Sequence, residues 1–217
     1  MRYPPGHKQG KRQELLKASG ELVKARGFAA TGVDALTQAA GVTSGAFYSH
    51  FASKTDLLKA LIESELQLSR DMWAGNPHET AQEWIDFELD RYLSLSHVQS
   101  PASGCVLPAL IAEISRSNED VRTLYEAELR KGMQLLAQRL GSEALAWAFI
   151  SQMVGALAMA RAMPDEAGQL AILQASKQLL KRLASDLTVQ ARIAVMDTST
   201  DNASESGTRN QRPAHKR

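Results

Sequence analysis

Only one cysteine, Cys105, occurs among the 217 residues of this chain, which excludes an internal disulfide and a cysteine-rich zinc site. The five histidines are scattered, without the spacing typical of metal ligands. No segment alternates apolar and polar residues for long enough to form a strand. The most apolar stretch, residues 144–160, falls short of the ~20 residues that a membrane-spanning helix needs. The N-terminus also lacks the apolar segment of a signal peptide. These absences predict a soluble, cytoplasmic, all-α protein that uses no metal or cofactor.

Aromatic residues and net charge are also low, at 6% and +1. Few aromatics argue against a large aromatic cage for a drug-like ligand. The charges are nevertheless unevenly distributed. Residues 1–60 hold 9 Lys and Arg against 4 Asp and Glu, whereas residues 61–197 hold 12 against 18. A basic N-terminal part on an acidic remainder concentrates the attraction for phosphate groups at one end of the molecule.

Glycine, proline and capping residues divide the chain into nine predicted helices. Thr31, with Asp34 three residues later, predicts the cap of the second helix, and Thr43 predicts the cap of the third. The predicted helices cover about 9–26, 32–40, 44–51, 54–72, 78–97, 105–115, 118–140, 143–163 and 166–194. No large apolar residue occurs from Asp197 onward, so residues 196–217 are predicted to form a disordered tail.

The third predicted helix separates large and small side chains. At 100° per residue, Phe47 and Phe51 share one face and point toward the first two helices. The opposite face is small, with Gly45, Ala46 and Ser49. Polar side chains flank this small face: Tyr48, His50 and Lys54. A short core helix is the ordinary explanation of two buried aromatics, but the polar ring around the small face favours a helix that enters a DNA groove.

The segment from Gly41 to Phe51, Gly-Val-Thr-Ser-Gly-Ala-Phe-Tyr-Ser-His-Phe, is followed by Ser53-Lys54 and Leu57-Leu58. With Arg26-Gly27-Phe28 upstream, it resembles the TetR/AcrR family of bacterial transcriptional regulators. The resemblance implies a three-helix DNA-binding domain over residues 9–69, with its helix-turn-helix motif at about 32–51. Helix 4 would join this domain to a helical ligand-binding and dimerisation domain over residues 70–195. The implied assembly is a homodimer that binds successive major grooves of a palindromic double-stranded DNA operator.

The resemblance also assigns roles to individual residues. Thr43 would cap the recognition helix, Thr31 would cap helix 2 and donate to phosphate, and Lys54 would pair with a phosphate. The bases would be faced by Ser44, Gly45, Ala46 and Ser49, and the sugar–phosphate backbone would be bonded by Tyr48 and His50. Many relatives carry Lys or Arg at the position of Ser44 or Ala46, which this chain lacks. A bidentate guanine contact from this helix is therefore not expected, and DNA shape and methyl contacts should contribute more.

Lys8, Lys11 and Arg12 offer two alternatives at the N-terminus, namely phosphate contacts from a mobile arm or a solvated basic segment. In the C-terminal part, the last two helices are expected to form the dimer interface. The apolar residues concerned, which an intramolecular core would equally explain, are Leu145, Phe149, Val154, Leu157, Leu170, Leu173, Leu180 and Leu183. A cavity for a small-molecule effector is expected among helices 4 to 8. Its candidate wall residues are Trp73, Trp84, Phe87, Tyr92, Tyr125, Met133, Trp147 and Met153.

Cys105 is expected to open the sixth helix, where the helix dipole favours a thiolate. It is thus a candidate sensor of oxidants or electrophiles, and a buried apolar cysteine is the alternative. The predicted function is a transcriptional repressor released from its operator by a small molecule or by such a signal. An effector-independent, nucleoid-type DNA-binding protein is the first rival. A helical enzyme is the second, and it is disfavoured because no nucleophile–base pair, phosphate loop or ligand cluster is recognisable.

Overall fold

The computed structural model describes residues 7–205, with side chains for residues 8–186. Within these residues the chain forms α-helices and no strand, which confirms the all-α prediction. The helices are α1 (His7–Arg26), α2 (Val33–Ala39), α3 (Ser44–His50), α4 (Lys54–Ala74), α5 (Ala81–Tyr92), α6 (Leu95–Gln99), α7 (Leu107–Ser115), α8 (Glu119–Leu140), α9 (Glu143–Arg161) and α10 (Glu166–Glu205). A single 3-10 turn, Pro101–Ser103, lies between α6 and α7.

Residues 9–69, termed the N-terminal unit, pack α1, α2 and α3 against the first half of α4. Their shared core consists of fully buried apolar side chains, including Leu15, Val23, Leu36, Phe47 and Leu57. Gly27 and Gly41 reverse the chain after α1 and α2 with φ of 83° and 63°. This left-handed conformation is accessible to glycine without a Cβ clash. The helices α1, α2 and α3 are therefore held at fixed angles by one core and two glycine turns.

Residues 70–186, termed the body, form the larger helical unit. α8 packs along α4, α9 lies against both α8 and α10, and α10 also covers α5. By length and composition α9 is apolar enough to cross a membrane, contrary to the expectation for residues 144–160. It carries buried side chains such as Phe149, Leu157 and Ala160, which join the core of the body. The apolar composition of α9 is explained by its packing against neighbouring helices on two sides.

Two buried ion pairs connect α4 with its neighbours. Lys24 of α1 donates to both carboxylate oxygens of Glu65 at 2.9 and 3.0 Å. Arg70 donates to the Glu128 carboxylate of α8 at 2.8 Å and to the Glu128 carbonyl at 3.0 Å. Because buried charges need partners, these pairs fix the position of α4 between the N-terminal unit and the body.

Some predicted helix boundaries were wrong. The helix expected over 78–97 starts at Ala81 and is divided in two, because Ser94 accepts a hydrogen bond from the His97 N–H and starts α6 as a new helix. The helix expected from Cys105 begins at Leu107, with Pro108 in its first turn. α10 continues to Glu205, so the boundary predicted at residue 196 falls within it. The rest of the predicted tail, residues 206–217, lies outside the described residues.

Candidate functional site

α3 is positioned by its own caps and by two aromatic anchors. The Thr43 hydroxyl accepts a hydrogen bond from the Ala46 N–H at 3.2 Å, as the sequence predicts for an N-cap. Phe47 and Phe51 are buried, and their ring centroids lie 5.8 Å apart. Ser53 then accepts from the Asp56 N–H at 3.0 Å and starts α4. The local sequence therefore fixes where α3 begins, which side it buries and where it ends.

The outer face of α3, defined here as Ser44, Gly45, Tyr48 and Ser49, is exposed. The Tyr48 side chain is 55% exposed although its ring meets the Phe47 ring edge-on at 5.2 Å. Ala46 is half-buried beside this face. The face is small and polar apart from one aromatic ring, so the α3 backbone can come close to a flat or grooved partner.

His50 lies at the end of α3, where basic side chains of α1 approach it. Burial lowers the pKa of His50, and the charges of Lys8 and Arg12 lower it further. The Arg12 guanidinium lies 4.8 Å from the centroid of the Phe51 ring. Lys8 and Arg12 lie in α1, so they are not part of a mobile arm. Together they place positive charge beside the His50 imidazole and favour its neutral form.

Two residues that were predicted to contact DNA instead make hydrogen bonds within the N-terminal unit. Thr31 was expected to cap α2, but Gly32 occupies the cap position without a side-chain hydrogen bond. Thr31 is only 2% exposed, and its hydroxyl donates to the Gly27 carbonyl at 2.6 Å. A hydroxyl buried in this way is not presented to a partner, so the predicted cap was wrong and a phosphate contact from Thr31 is not supported.

Lys54 is likewise directed inward. Its ammonium donates to the Phe28 carbonyl at 2.6 Å and lies 4.4 Å from the centroid of the Phe28 ring. These contacts hold the turn between α1 and α2 against the start of α4. The phosphate contact predicted for Lys54 would have to share an ammonium group that already supports this turn.

A comparison with known families identifies the N-terminal unit. Residues 15–61 match the model of bacterial regulatory proteins of the tetR family. Over these residues the chain is similar to the tetR family of bacterial regulatory proteins. The HTH-type transcriptional repressor NemR of Escherichia coli (strain K12) is 29% identical over 139 residues, which are 59% of this chain and 66% of NemR. The match thus spans just under two thirds of that relative.

Solved structures of TetR-family proteins share the fold. The structure of reduced E. coli NemR superimposes with a TM-score of 0.69 at 22% identity, covering 80% of this chain and 96% of NemR. A TetR-family regulator from Cytophaga hutchinsonii gives a TM-score of 0.73 at 16% identity, covering 85% of this chain and 98% of the other. The N-terminal helix-turn-helix arrangement and the helical body therefore share the fold of these structures.

The body contains a cavity of about 280 Å³ among α4, α5, α6 and α8. Of the predicted wall residues, Trp73 and Tyr92 line this cavity. Trp84 and Met153 line a smaller crevice instead, together with Trp73. Four predicted wall residues line neither space: Phe87, Tyr125, Met133 and Trp147. The sequence placed the cavity among the correct helices but overestimated its aromatic lining.

Cys105 lies at one end of this cavity, half-buried, two residues before α7. Its N–H donates to His97 Nε2 at 2.9 Å, and the other His97 nitrogen lies 2.8 Å from the Tyr92 carbonyl. His97 is therefore a neutral imidazole that donates from Nδ1, and burial lowers its pKa. Burial also raises the pKa of the Cys105 thiol, so the expected dipole-stabilised thiolate was wrong.

The apolar residues of α9 and α10 divide into two groups. Phe149, Val154, Leu157, Leu173 and Leu180 are buried within the chain itself, as an intramolecular core requires. The remaining predicted residues are half-buried: Leu145, Leu170 and Leu183. Apolar side chains that stay exposed on the same two helices include Met159, at 62%, and Leu179, at 47%. Single exposed apolar side chains are common on protein surfaces.

One residue that sequence reasoning missed connects the two parts of the molecule. Glu113 of α7 accepts hydrogen bonds from the backbone N–H groups of Phe28 and Ala29, each at 2.8 Å. A glutamate in a short apolar helix gives no local signal of such a contact, because its partners lie 84 and 85 positions away.

Proposed function

We propose that this chain is a DNA-binding transcriptional repressor that acts in the bacterial cytoplasm as a homodimer. Residues 9–69 would form the DNA-binding domain and residues 70–195 the regulatory and dimerisation domain. The observation that carries the proposal is the outer face of α3, which is exposed and small while Phe47 and Phe51 anchor the opposite face. A helix held in this way reads the major groove when two copies bind half-sites about one DNA turn apart.

Different residues of α3 would contact different parts of the DNA. Thr43 and Ser44 lie at the exposed N-terminus of α3, where free N–H groups favour a phosphate oxygen. Gly45, Ala46 and Ser49 would approach the base edges, while Tyr48 and His50 would contact the backbone. Since α3 contains no lysine or arginine, discrimination between sequences would depend strongly on DNA shape and deformability.

A gel-shift or anisotropy titration against DNA tests the function. The probes are a palindromic fragment from upstream of the gene and a random fragment of equal length, each measured at several salt concentrations. Preferential binding of the palindrome, weakening as salt rises, is the expected result. Equal affinity for both fragments would indicate a nucleoid-type protein, and no binding at low salt would contradict both DNA-binding functions.

Tyr48→Ala is expected to weaken operator binding by roughly 1–3 kcal/mol, the size of a lost side-chain contact to DNA. Because the Tyr48 ring is largely exposed, the thermal unfolding of the variant should match that of the wild type. Phe87→Ala, which removes a 38% exposed aromatic ring from the body, serves as the control. Operator binding by the Tyr48 variant at wild-type strength would mean that α3 docks differently from this proposal.

The dimer proposal rests on the exposed apolar side chains of α9 and α10. Met159 and Leu179 would be covered by the same two helices of a second chain, giving an interface that repeats itself about a two-fold axis. Sedimentation of the wild type is expected to show a dimer, and Met159→Lys should shift it toward the monomer because a charge would be buried in the interface.

The cavity supports control by a small molecule or an electrophile. Cys105 is the only thiol of the chain and lines the cavity. The Cys105 thiolate would add to one carbon of the C=C bond of a Michael acceptor such as N-ethylmaleimide, forming a carbon–sulfur bond as the π bond breaks. The adjacent carbon would take up a proton, so that no group leaves. The adduct would occupy the cavity and displace the segment that leads into α7.

Cys105→Ser is therefore expected to retain operator binding and to lose release by N-ethylmaleimide, as measured by the same titration before and after treatment. The release rate of the wild type should rise with pH, because burial raises the Cys105 pKa and only the thiolate reacts. Mass spectrometry establishes whether the adduct has formed. Release of the serine variant by the reagent, or retention of DNA by a fully modified wild type, would remove the sensor role.

A further inference from the structure

The turn between α1 and α2 is held by hydrogen bonds from two directions. On the body side, Glu113 uses one carboxylate oxygen for the Phe28 N–H and the other for the Ala29 N–H. On the side of the N-terminal unit, Lys54 donates to the carbonyl of the same Phe28. Both backbone groups of Phe28 are thus engaged, one of them by the body. Hydrogen bonds to a charged group are stronger than those between neutral groups.

Glu113 occupies a position that local helix energetics disfavour. It lies in the last turn of α7, where the negative end of the helix dipole repels a carboxylate. Leu107, Leu110 and Ile114 of the same helix are buried in the body. α7 is therefore fixed to the body by its apolar side chains, while the one charged residue of this helix points to the N-terminal unit.

The turn is shaped to receive this carboxylate. Gly27 has a φ of 83°, and a Cβ built on it would lie 3.3 Å from Oε1 of Glu113. Glycine at this position gives the left-handed turn and leaves room for the carboxylate oxygen next to it. The N–H groups of the two following residues then converge on one side chain. Such a pair of converging donors specifies both the distance and the direction of the attachment.

We propose that Glu113 is a positioning residue for DNA binding, because it sets the angle of the N-terminal unit relative to the body. In a dimer the bodies are joined, so this angle determines the separation and the relative rotation of the two α3 helices. Glu113 thereby selects the spacing of the operator half-sites without touching DNA. The inference rests on the proposed DNA-binding function.

The test uses the full-length protein and two DNA fragments that differ by one base pair inserted between the half-sites. The insertion moves one half-site by about 3.4 Å and rotates it by about 35°. The wild type should bind the inserted operator at least about tenfold more weakly, as expected when a DNA contact is misplaced. Glu113→Gln should bind the original operator about tenfold more weakly, because one amide oxygen cannot replace two carboxylate oxygens. For the Glu113→Gln variant, the affinities for the original and the inserted operator should differ by only about threefold or less.

The ratio of the affinities for the two operators, called the spacing penalty, distinguishes a positioning role of Glu113 from a role in stability alone. A partly unfolded variant would lose affinity for both fragments equally, so its ratio would not change. Glu126→Gln is the matched control, since Glu126 is exposed and pairs with Arg130 of its own helix. Glu113→Asp, which keeps the charge on a shorter side chain, covers the case in which the glutamine variant folds poorly, and it should give an intermediate penalty. A wild-type spacing penalty in the Glu113 variants would overturn the proposal. Failure of the wild type to prefer any palindrome would instead overturn the DNA-binding function itself.

Discussion

Phe47→Ala is expected to unfold the N-terminal unit and to abolish operator binding. Phe47 is fully buried and packs against the rings of Tyr48 and Phe51. Truncating a buried phenylalanine costs about 3–5 kcal/mol, because the transfer free energy of the ring is lost and a cavity remains. A unit of some sixty residues has a total stability of only about 3–9 kcal/mol. The loss therefore approaches the whole free energy of unfolding of this unit.

Circular dichroism melting and operator titration measure this prediction together. The comparison is with Tyr48→Ala, which removes an aromatic ring from the next position of the same helix but from its exposed face. The Phe47 variant should lose both the early part of the melting transition and DNA binding, whereas the Tyr48 variant should melt like the wild type and bind the operator more weakly. A Phe47 variant with wild-type melting would show that α3 is not anchored by this ring.

The second large effect is expected for Arg70→Met. Arg70 is buried between α4 and α8, and its guanidinium contacts the Glu128 carboxylate, the Glu128 carbonyl and Gln67. Removing one member of a buried ion pair costs about 3–5 kcal/mol, because the remaining charge stays desolvated. Lys131 also pairs with Glu128, so a loss of about 3 kcal/mol is expected in chemical denaturation.

A double variant controls for the loss of Arg70. Arg70→Met with Glu128→Leu removes both charges, and replacement of a buried pair by apolar side chains is often close to neutral. The double variant should recover most of the stability that the single variant loses. If it is as unstable as Arg70→Met, packing of the arginine stem explains the effect and the ion pair does not.

The same pair makes stability depend on pH. Burial acts to raise the pKa of Glu128, but hydrogen bonds and charges from Lys131 and Arg70 outweigh it and hold the pKa below its usual value. A lowered pKa in the folded state stabilises the protein above the pKa of an unfolded glutamate, and this contribution disappears as the pH falls through the folded value. The free energy of unfolding should therefore fall in acid, and less so for the Arg70→Met, Glu128→Leu variant.

Features that depend on neighbours in sequence could be predicted. The caps at Thr43 and Ser53 each join a side chain to a backbone N–H three residues later. Phe47 and Phe51 are four residues apart and therefore share one face of a helix, so the buried face of α3 could also be predicted from the sequence. The motif of the N-terminal unit consists almost entirely of such local features, which explains why the family resemblance was recognisable from one sequence.

Features that depend on distant partners could not be predicted. Thr31 fits the pattern of a helix cap, yet the tertiary fold buries it and turns its hydroxyl to Gly27. Lys54 comes shortly after α3, where a lysine that contacts phosphate is expected. Its ammonium instead donates to the carbonyl of Phe28, 26 positions earlier. Cys105 was expected to open a helix as a thiolate, yet it precedes α7 and burial raises the pKa of its thiol. In each case a residue compatible with two roles is assigned one of them by the groups packed around it.

The sequence by itself determined the all-helical architecture, the cap and buried face of α3, and the family resemblance of the N-terminal unit, because hydrogen bonds and periodicity over a few residues encode them. Only the tertiary structure decided which polar side chains remain on the outer face, where the cavity lies, and that Glu113 joins α7 to the turn between α1 and α2. These outcomes depend on contacts between residues up to 85 positions apart, and the geometry of such contacts is set by packing of the whole core.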